Sequence, residues 1–352
     1  MTAVGGVAGS IPATPQAESV GKPPLPKRAM DFARRNEETG WRSVAWVAVI
    51  LPLAALVFAL TVLAVKAVPV IGHNGWYFLY GRTWTYGNQG YGGGPGAQFG
   101  ALAIIWGTIA SSLIAIVIAL PLSIGAAFAL TERMPTWISR PLGFTIEILA
   151  GIPSVVIGLW GILTFAPWLA TNVYPHVAAV MPDVPVLRYF RSPTGSGEGL
   201  LSAGIVLSLM IVPIITSTTR DLFSGVPPLP KEGASALGMT DWEVANKVTL
   251  PWVRSGIIGA TVLGLGRALG ETIAIAMIGG AALRIPSTIY LPFTTIAATI
   301  LTQLDGQLDN PQGVAALAEL ALVLAVISVA VNLVARLIVN RTGRVGAPVG
   351  GA

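Results

Sequence analysis

Cysteine is absent from the 352 residues, and only two histidines, His73 and His176, occur. Disulfides and Cys/His metal sites are thereby excluded. Charge is scarce too: 11% of residues are charged against 53% hydrophobic, and mean hydropathy is +0.72. Soluble domains carry about 25% charged residues, so a polytopic membrane protein is the class that remains. No G-x4-G-K-[ST] run is present, and the glycine cluster Gly92 to Gly94 has neither that ending nor a preceding strand. The chain is therefore not expected to hold a nucleotide. Nor does it show a nucleophile–base pair or a metal constellation suited to an intramembrane enzyme. Finally, no apolar run of signal-peptide type precedes Trp41, and residues 1–42 are rich in Pro, Gly, Ala and Ser, so a disordered cytoplasmic tail is expected there.

What is present is a series of apolar runs. Six of them, at about 44–66, 101–130, 141–163, 200–219, 255–282 and 313–335, reach the roughly 20 residues needed to cross hydrocarbon. The expected fold is all-α, a six-helix membrane domain over residues 43–340 with a second cytoplasmic tail at 341–352. Between the spans, the segment from His73 to Gly100 combines aromatics with glycines, as an outer-face excursion would. With alternate segments taken as inner, fifteen of the 21 Lys and Arg residues lie inside and five outside. The positive-inside rule then places both termini in the cytoplasm. The net charge of +5 reports this orientation, and not a nucleic-acid partner, because the cations sit between apolar spans.

One stretch, from Lys231 to Glu271, joins two kinds of chemistry. Its polar half lies in an inner loop at 221–252. Glu232, Gly233 and Ala234 begin a short helix, Gly238 supplies a left-handed residue to end it, and Thr240 with Glu243 forms a capping box for a second. Val248, Leu250 and Pro251 lead into the fifth span, with proline near the helix start. Its apolar half carries Arg267 and Glu271, four residues apart and about 6 Å apart in rise on one helix face. Gly264, Gly266 and Gly270 beside them permit close approach of another helix or a solute.

Glu147 and Glu319 are the other carboxylates within apolar runs. A charge at a helix centre costs about 2.5 to 3.5 kcal/mol on insertion scales, so all four groups are expected to face protein or a polar cavity. The planar fork of an arginine matches an oxyanion bidentately, and a carboxylate one turn away can hold that fork when no anion is present. Arg267 and Glu271 thus describe an exchangeable anion site or, in the alternative, a permanent ion pair. Glu147 belongs to the same path or caps a backbone break near Pro153. Glu319 is expected to be structural or wet.

The spacing E-G-A-x3-G-x9-V-x-L-P resembles the E-A-A loop of permease subunits of ABC importers, with Gly233 in place of the usual alanine and Val248 in place of the commoner isoleucine. The runs FLYGRTW, AQFGAL, ALPLSIG, ILAGIPSVVIGLWG, STTRDLF and GRALGETIAIAM are similar to the C-type permeases of phosphate-specific transport systems, over about Phe78 to Gly280. The resemblance implies a MetI-like permease fold in the inner membrane and a coupling helix at Glu232 to Gly238 that docks on a separate dimeric ATPase. It implies phosphate passage beside Arg267 and Glu271. The partners it implies are an A-type permease forming a heterodimer and an extracytoplasmic phosphate-binding protein. No cofactor is then expected on this chain, ATP–Mg being held by the ATPase. Two rivals remain at this stage: the same machine for another oxyanion or phosphonate, and an ion-coupled secondary transporter using Glu147, Glu271 and Glu319.

Overall fold

The computed structural model describes residues 27–86, 97–182, 184, 187–190 and 196–342. The expected tail up to residue 26, the glycine cluster Gly92 to Gly94 and the C-terminal tail beyond residue 342 lie outside the described residues. Two units are distinguished, Met1–Ala59 and Leu60–Ala352. The first helix, α1 (Lys27–Asn74), runs through both and starts well inside the segment expected to be a disordered tail. The sequence after Pro26 explains this correction: KRAMDFARRNEE is dense in strong helix formers and contains no proline. Residues 41–59 of α1 are exposed on every face.

In the second unit, α2 (Tyr77–Tyr80) leads to an antiparallel strand pair, β1 (Trp84–Thr85) and β2 (Gln98–Phe99), with Trp84 opposite Phe99. Then come α3 (Leu102–Phe128), α4 (Thr136–Ala150), α5 (Ser154–Trp160), α6 (Ala166–Asn172), α7 (Tyr174–Val180) and α8 (Leu200–Ser224). They are followed by α9 (Pro228–Ala236), α10 (Asp241–Val244), α11 (Leu250–Leu269), α12 (Ile273–Ile278), α13 (Ile296–Gln307) and α14 (Pro311–Thr342). Among the described residues, six helical segments are long and apolar enough to cross a membrane.

The core forms where α3, α8, α11 and α12 meet, around Ala119, Leu207, Ile211, Ile215, Ala268 and Ile275. The buried face of α3 carries Ala103, Gly107, Ser111, Ala115, Ala119, Ser123 and Ala127, a small residue at every fourth position over the whole helix. Such a row lets a second helix approach closely where no hydrophobic driving force separates protein from lipid. α8 is the main neighbour, and its Gly204 answers with a missing side chain: a Cβ there would lie 2.5 Å from Ile114. At Gly107 a Cβ would lie 2.0 Å from the Thr294 carbonyl oxygen.

Two of the expected spans are broken. The run expected as one helix at 141–163 stops at Ala150 and restarts at Ser154, with Pro153 at the N-cap of α5. Proline lacks the N–H that a continuous helix needs, and it pushes the preceding residue out of helical geometry. The third crossing segment is therefore 154–180, continued past α5 by a wide turn at Gly161–Phe165 into α6 and α7, well beyond the expected end at 163. The fifth run, expected to be helical over 255–282, stops at Leu269 and restarts at Ile273. Beyond α12 the chain turns back through Gly280 (φ +75) and Ala281 (φ +53), and α13 lies between the expected fifth and sixth spans.

Candidate functional site

The second of these breaks separates the two charges that sequence spacing had placed on one helix face. Arg267 lies in the last turn of α11 and is exposed, whereas Glu271 lies past the break and is 9% exposed. The Gly270 N–H still reaches the Gly266 carbonyl (3.3 Å), and the Thr272 hydroxyl donates to the Gly270 carbonyl (3.0 Å), fixing the turn. Glu271 Oε1 accepts from the Ala274 N–H at 3.3 Å. The carboxylate thus satisfies a donor that the new helix start leaves open, and its charge suits that end of the helix. Arg267 makes no ion pair among the described residues. The permanent Arg267–Glu271 pair is accordingly not what this structure contains.

The glycines around Arg267 divide between two surfaces. Gly264 faces inward, where a Cβ would lie 2.7 Å from Ile215, while a Cβ at Gly259 or Gly266 would meet nothing within 4 Å. Gly259, Leu263, Gly266, Arg267 and Gly270 form one exposed stripe along α11. A guanidinium is thus presented on a slender, open helix face, at a point where the helix ends within an apolar segment. Such a group can offer its fork to an oxyanion without first breaking a salt bridge.

Glu147 does not cap the break at Pro153. It sits near the end of α4 and pairs with Arg220 on α8, Nη2 to Oε1 at 2.5 Å. Gly143, one turn earlier, makes room: a Cβ there would lie 2.2 Å from Arg220 Nη1. Both partners are partly exposed. Sequence reading passed over Arg220 because 73 residues separate it from its partner, leaving no local spacing to read.

The polar loop folds as two short helices set at an elbow. α9 begins at Pro228, earlier than expected, because proline at a first helical position needs no N–H partner. Glu232 and Gly233 are exposed in its middle, and Ala234 is 7% exposed and packs inward. Gly238 has φ +82, and the Met239 N–H reaches back to the Ala234 carbonyl (3.2 Å). Thr240 and Glu243 form the reciprocal capping box of α10. A wide turn at Ala245–Thr249 then leads into Leu250 and Pro251 at the start of α11. The elbow is tied to the wide turn after α3, Ala129–Arg133, by Lys231 with Glu132 and by Arg133 with Asp241 (3.1 Å). Leu229, Leu237 and Trp242 stand 76%, 82% and 63% exposed on it and form an apolar surface.

Comparison with known proteins gives three results. Residues 119–344 match the family described as binding-protein-dependent transport system inner membrane component. The phosphate transport system permease protein PstC 1 of Mycobacterium tuberculosis is 48% identical over 334 residues, covering 92% of this chain and 98% of that protein. PstC of Haemophilus influenzae is 43% identical over 246 residues, covering 69% and 77%.

Proposed function

Because the chain belongs to the family of binding-protein-dependent transport system inner membrane components, it is a permease subunit of an ABC importer, and we propose that its cargo is inorganic phosphate. The observation that carries this reading is the exposed Arg267 at the α11 break, without a carboxylate partner among the described residues because Glu271 caps the next helix. Relatives at 48% and 43% identity bearing a phosphate-transport name support the choice of anion.

In this reading a second, A-type permease packs against the open stripe of α11 and closes a path in which Arg267 meets the passing anion. A dimeric ATPase holding ATP–Mg docks on Glu232, Gly233 and Gly238 and on the apolar side chains beside them. An extracytoplasmic binding protein delivers phosphate to the opposite side. The elbow and both termini then face the cytoplasm, in keeping with the excess of Lys and Arg on that side. Movement of the elbow relays nucleotide binding to the spans, which open to each side in turn; Arg220 and Glu147 stand nearer the elbow and flank the exit.

The test is uptake by the complete complex reconstituted in vesicles, with phosphate, sulfate and a phosphonate compared. Arg267→Gln is expected to abolish phosphate uptake while the complex stays assembled, and Arg267→Lys to rescue poorly, since it keeps the charge without the fork. Full uptake by Arg267→Gln overturns the role of Arg267. Preference for sulfate or phosphonate overturns the cargo. Uptake that persists with the ATPase inactivated points to ion coupling instead.

A further inference from the structure

The second unit holds a buried acid that phosphate passage does not use. Glu319 on α14 is 8% exposed, and its Oε2 is sealed from solvent with no hydrogen-bond partner among the described residues. A carboxylate left so is costly unless a cation or donor reaches it. Glu319 lines a cavity of about 660 Å³ whose other walls are apolar, among them Ile71, Leu79, Ile105, Val323 and Ile327. That volume lies within the range of about 300 to 1,000 Å³ typical of small-molecule sites. Trp76, 80% exposed, stands in the same wall.

Depth decides what arrives there. α14 has 32 residues, about 48 Å of helix, against hydrocarbon about 30 Å thick. Centred on the bilayer, it leaves about 9 Å at each end among headgroups. Glu319 lies eight residues, about 12 Å, from Pro311, within a few ångströms of that boundary. Tryptophan is enriched at this level, and its ring attracts an organic cation. The site therefore combines a hollow with apolar walls, a buried acid with an unpartnered oxygen, and a tryptophan.

We infer that this cavity holds a membrane lipid bearing a primary ammonium headgroup, such as phosphatidylethanolamine, with an acyl chain against the apolar wall and the ammonium between Glu319 and Trp76. The three N–H donors of an ammonium suit a carboxylate that has none. A headgroup with phosphate alone would meet repulsion.

The experiment is native mass spectrometry of the assembled complex, released from vesicles containing equal amounts of phosphatidylethanolamine, phosphatidylcholine and phosphatidylglycerol with identical chains. The wild type is expected to retain phosphatidylethanolamine about tenfold over phosphatidylglycerol. Glu319→Gln is expected to lose that preference in a complex of unchanged subunit composition. Val323→Trp, which fills the cavity while leaving the acid, is expected to lose the lipid altogether. Equal retention of all three lipids, no retained lipid, or an unchanged preference in Glu319→Gln overturns the proposal. Retention of added dodecylamine without phosphatidylethanolamine also overturns it, in favour of a free amine. If Glu319→Gln fails to assemble, the wild-type headgroup preference and Val323→Trp decide the matter.

Discussion

The Arg220 guanidinium lies 2.5 Å from the Glu147 carboxylate and ties α8 to the end of α4. This contact exists only because position 143 has no side chain: a Cβ at Gly143 would lie 2.2 Å from Arg220 Nη1. Gly143→Ala is therefore expected to displace Arg220. Partly exposed pairs contribute about 0 to 1 kcal/mol, so the melting temperature of the solubilised complex should fall by only a few degrees. In a Glu147→Gln background, where Arg220 is free to swing away, the same alanine should cost less than in the wild type. Strictly additive losses would show that the two positions do not communicate.

Glu271 serves a helix end and Arg267 makes no ion pair among the described residues, so their removal should have unequal effects on stability. Glu271→Ala is expected to cost about 0.5 to 2 kcal/mol, the range for losing a capping acceptor, and Glu271→Gln less, because its amide oxygen still accepts. Arg267→Ala is expected to cost about 0.5 kcal/mol or less. Thermal unfolding of the solubilised protein checks this. Equal losses at the two positions would restore the ion-pair account.

At the elbow the two glycines are predicted to behave differently. Gly238 has φ +82, and a residue with a Cβ pays about 1 to 2 kcal/mol in the left-handed region, more when β-branched. Gly238→Val should therefore distort the elbow and lower the phosphate carried per ATP hydrolysed. Gly233→Ala should leave that ratio unchanged, because its Cβ would meet nothing within 4 Å. Normal coupling in Gly238→Val would remove the elbow from the relay.

The glycines of the spans separate folding from assembly. Gly107→Ala would put a Cβ 2.0 Å from the Thr294 carbonyl and is expected to destabilise the chain by about 1 to 3 kcal/mol. Gly266→Leu points into open space. It should leave the melting of the chain nearly unchanged while lowering the yield of the heterodimer proposed above. Co-purification through a tag on either subunit measures this.

Much of this architecture was legible in the residues. Apolar runs gave the number of spans, and the glycine turn and capping box of the elbow could be read, because Gly238, Thr240 and Glu243 act through contacts within a few residues. The two broken helices were not legible. An apolar run looks continuous whether or not its backbone is, and the Gly270–Glu271–Thr272 signal was masked by the hydrophobic residues on both sides. Tertiary partnership was equally hidden: nothing near Glu147 indicates Arg220, and nothing near Glu319 indicates an apolar cavity. The early helix at Lys27 was missed because a Pro- and Gly-rich beginning was extended over residues that favour helix.

The row of small residues from Ala103 to Ala127 also acts as a gauge of phase. One residue inserted at its middle would rotate every later position by about 100°. Isoleucine and leucine side chains would then swing into the seam with α8 and the alanines out into lipid. Changes of volume along this helix are graded in effect, but a change of length is all-or-none. Insertions should therefore not be tolerated anywhere within α3.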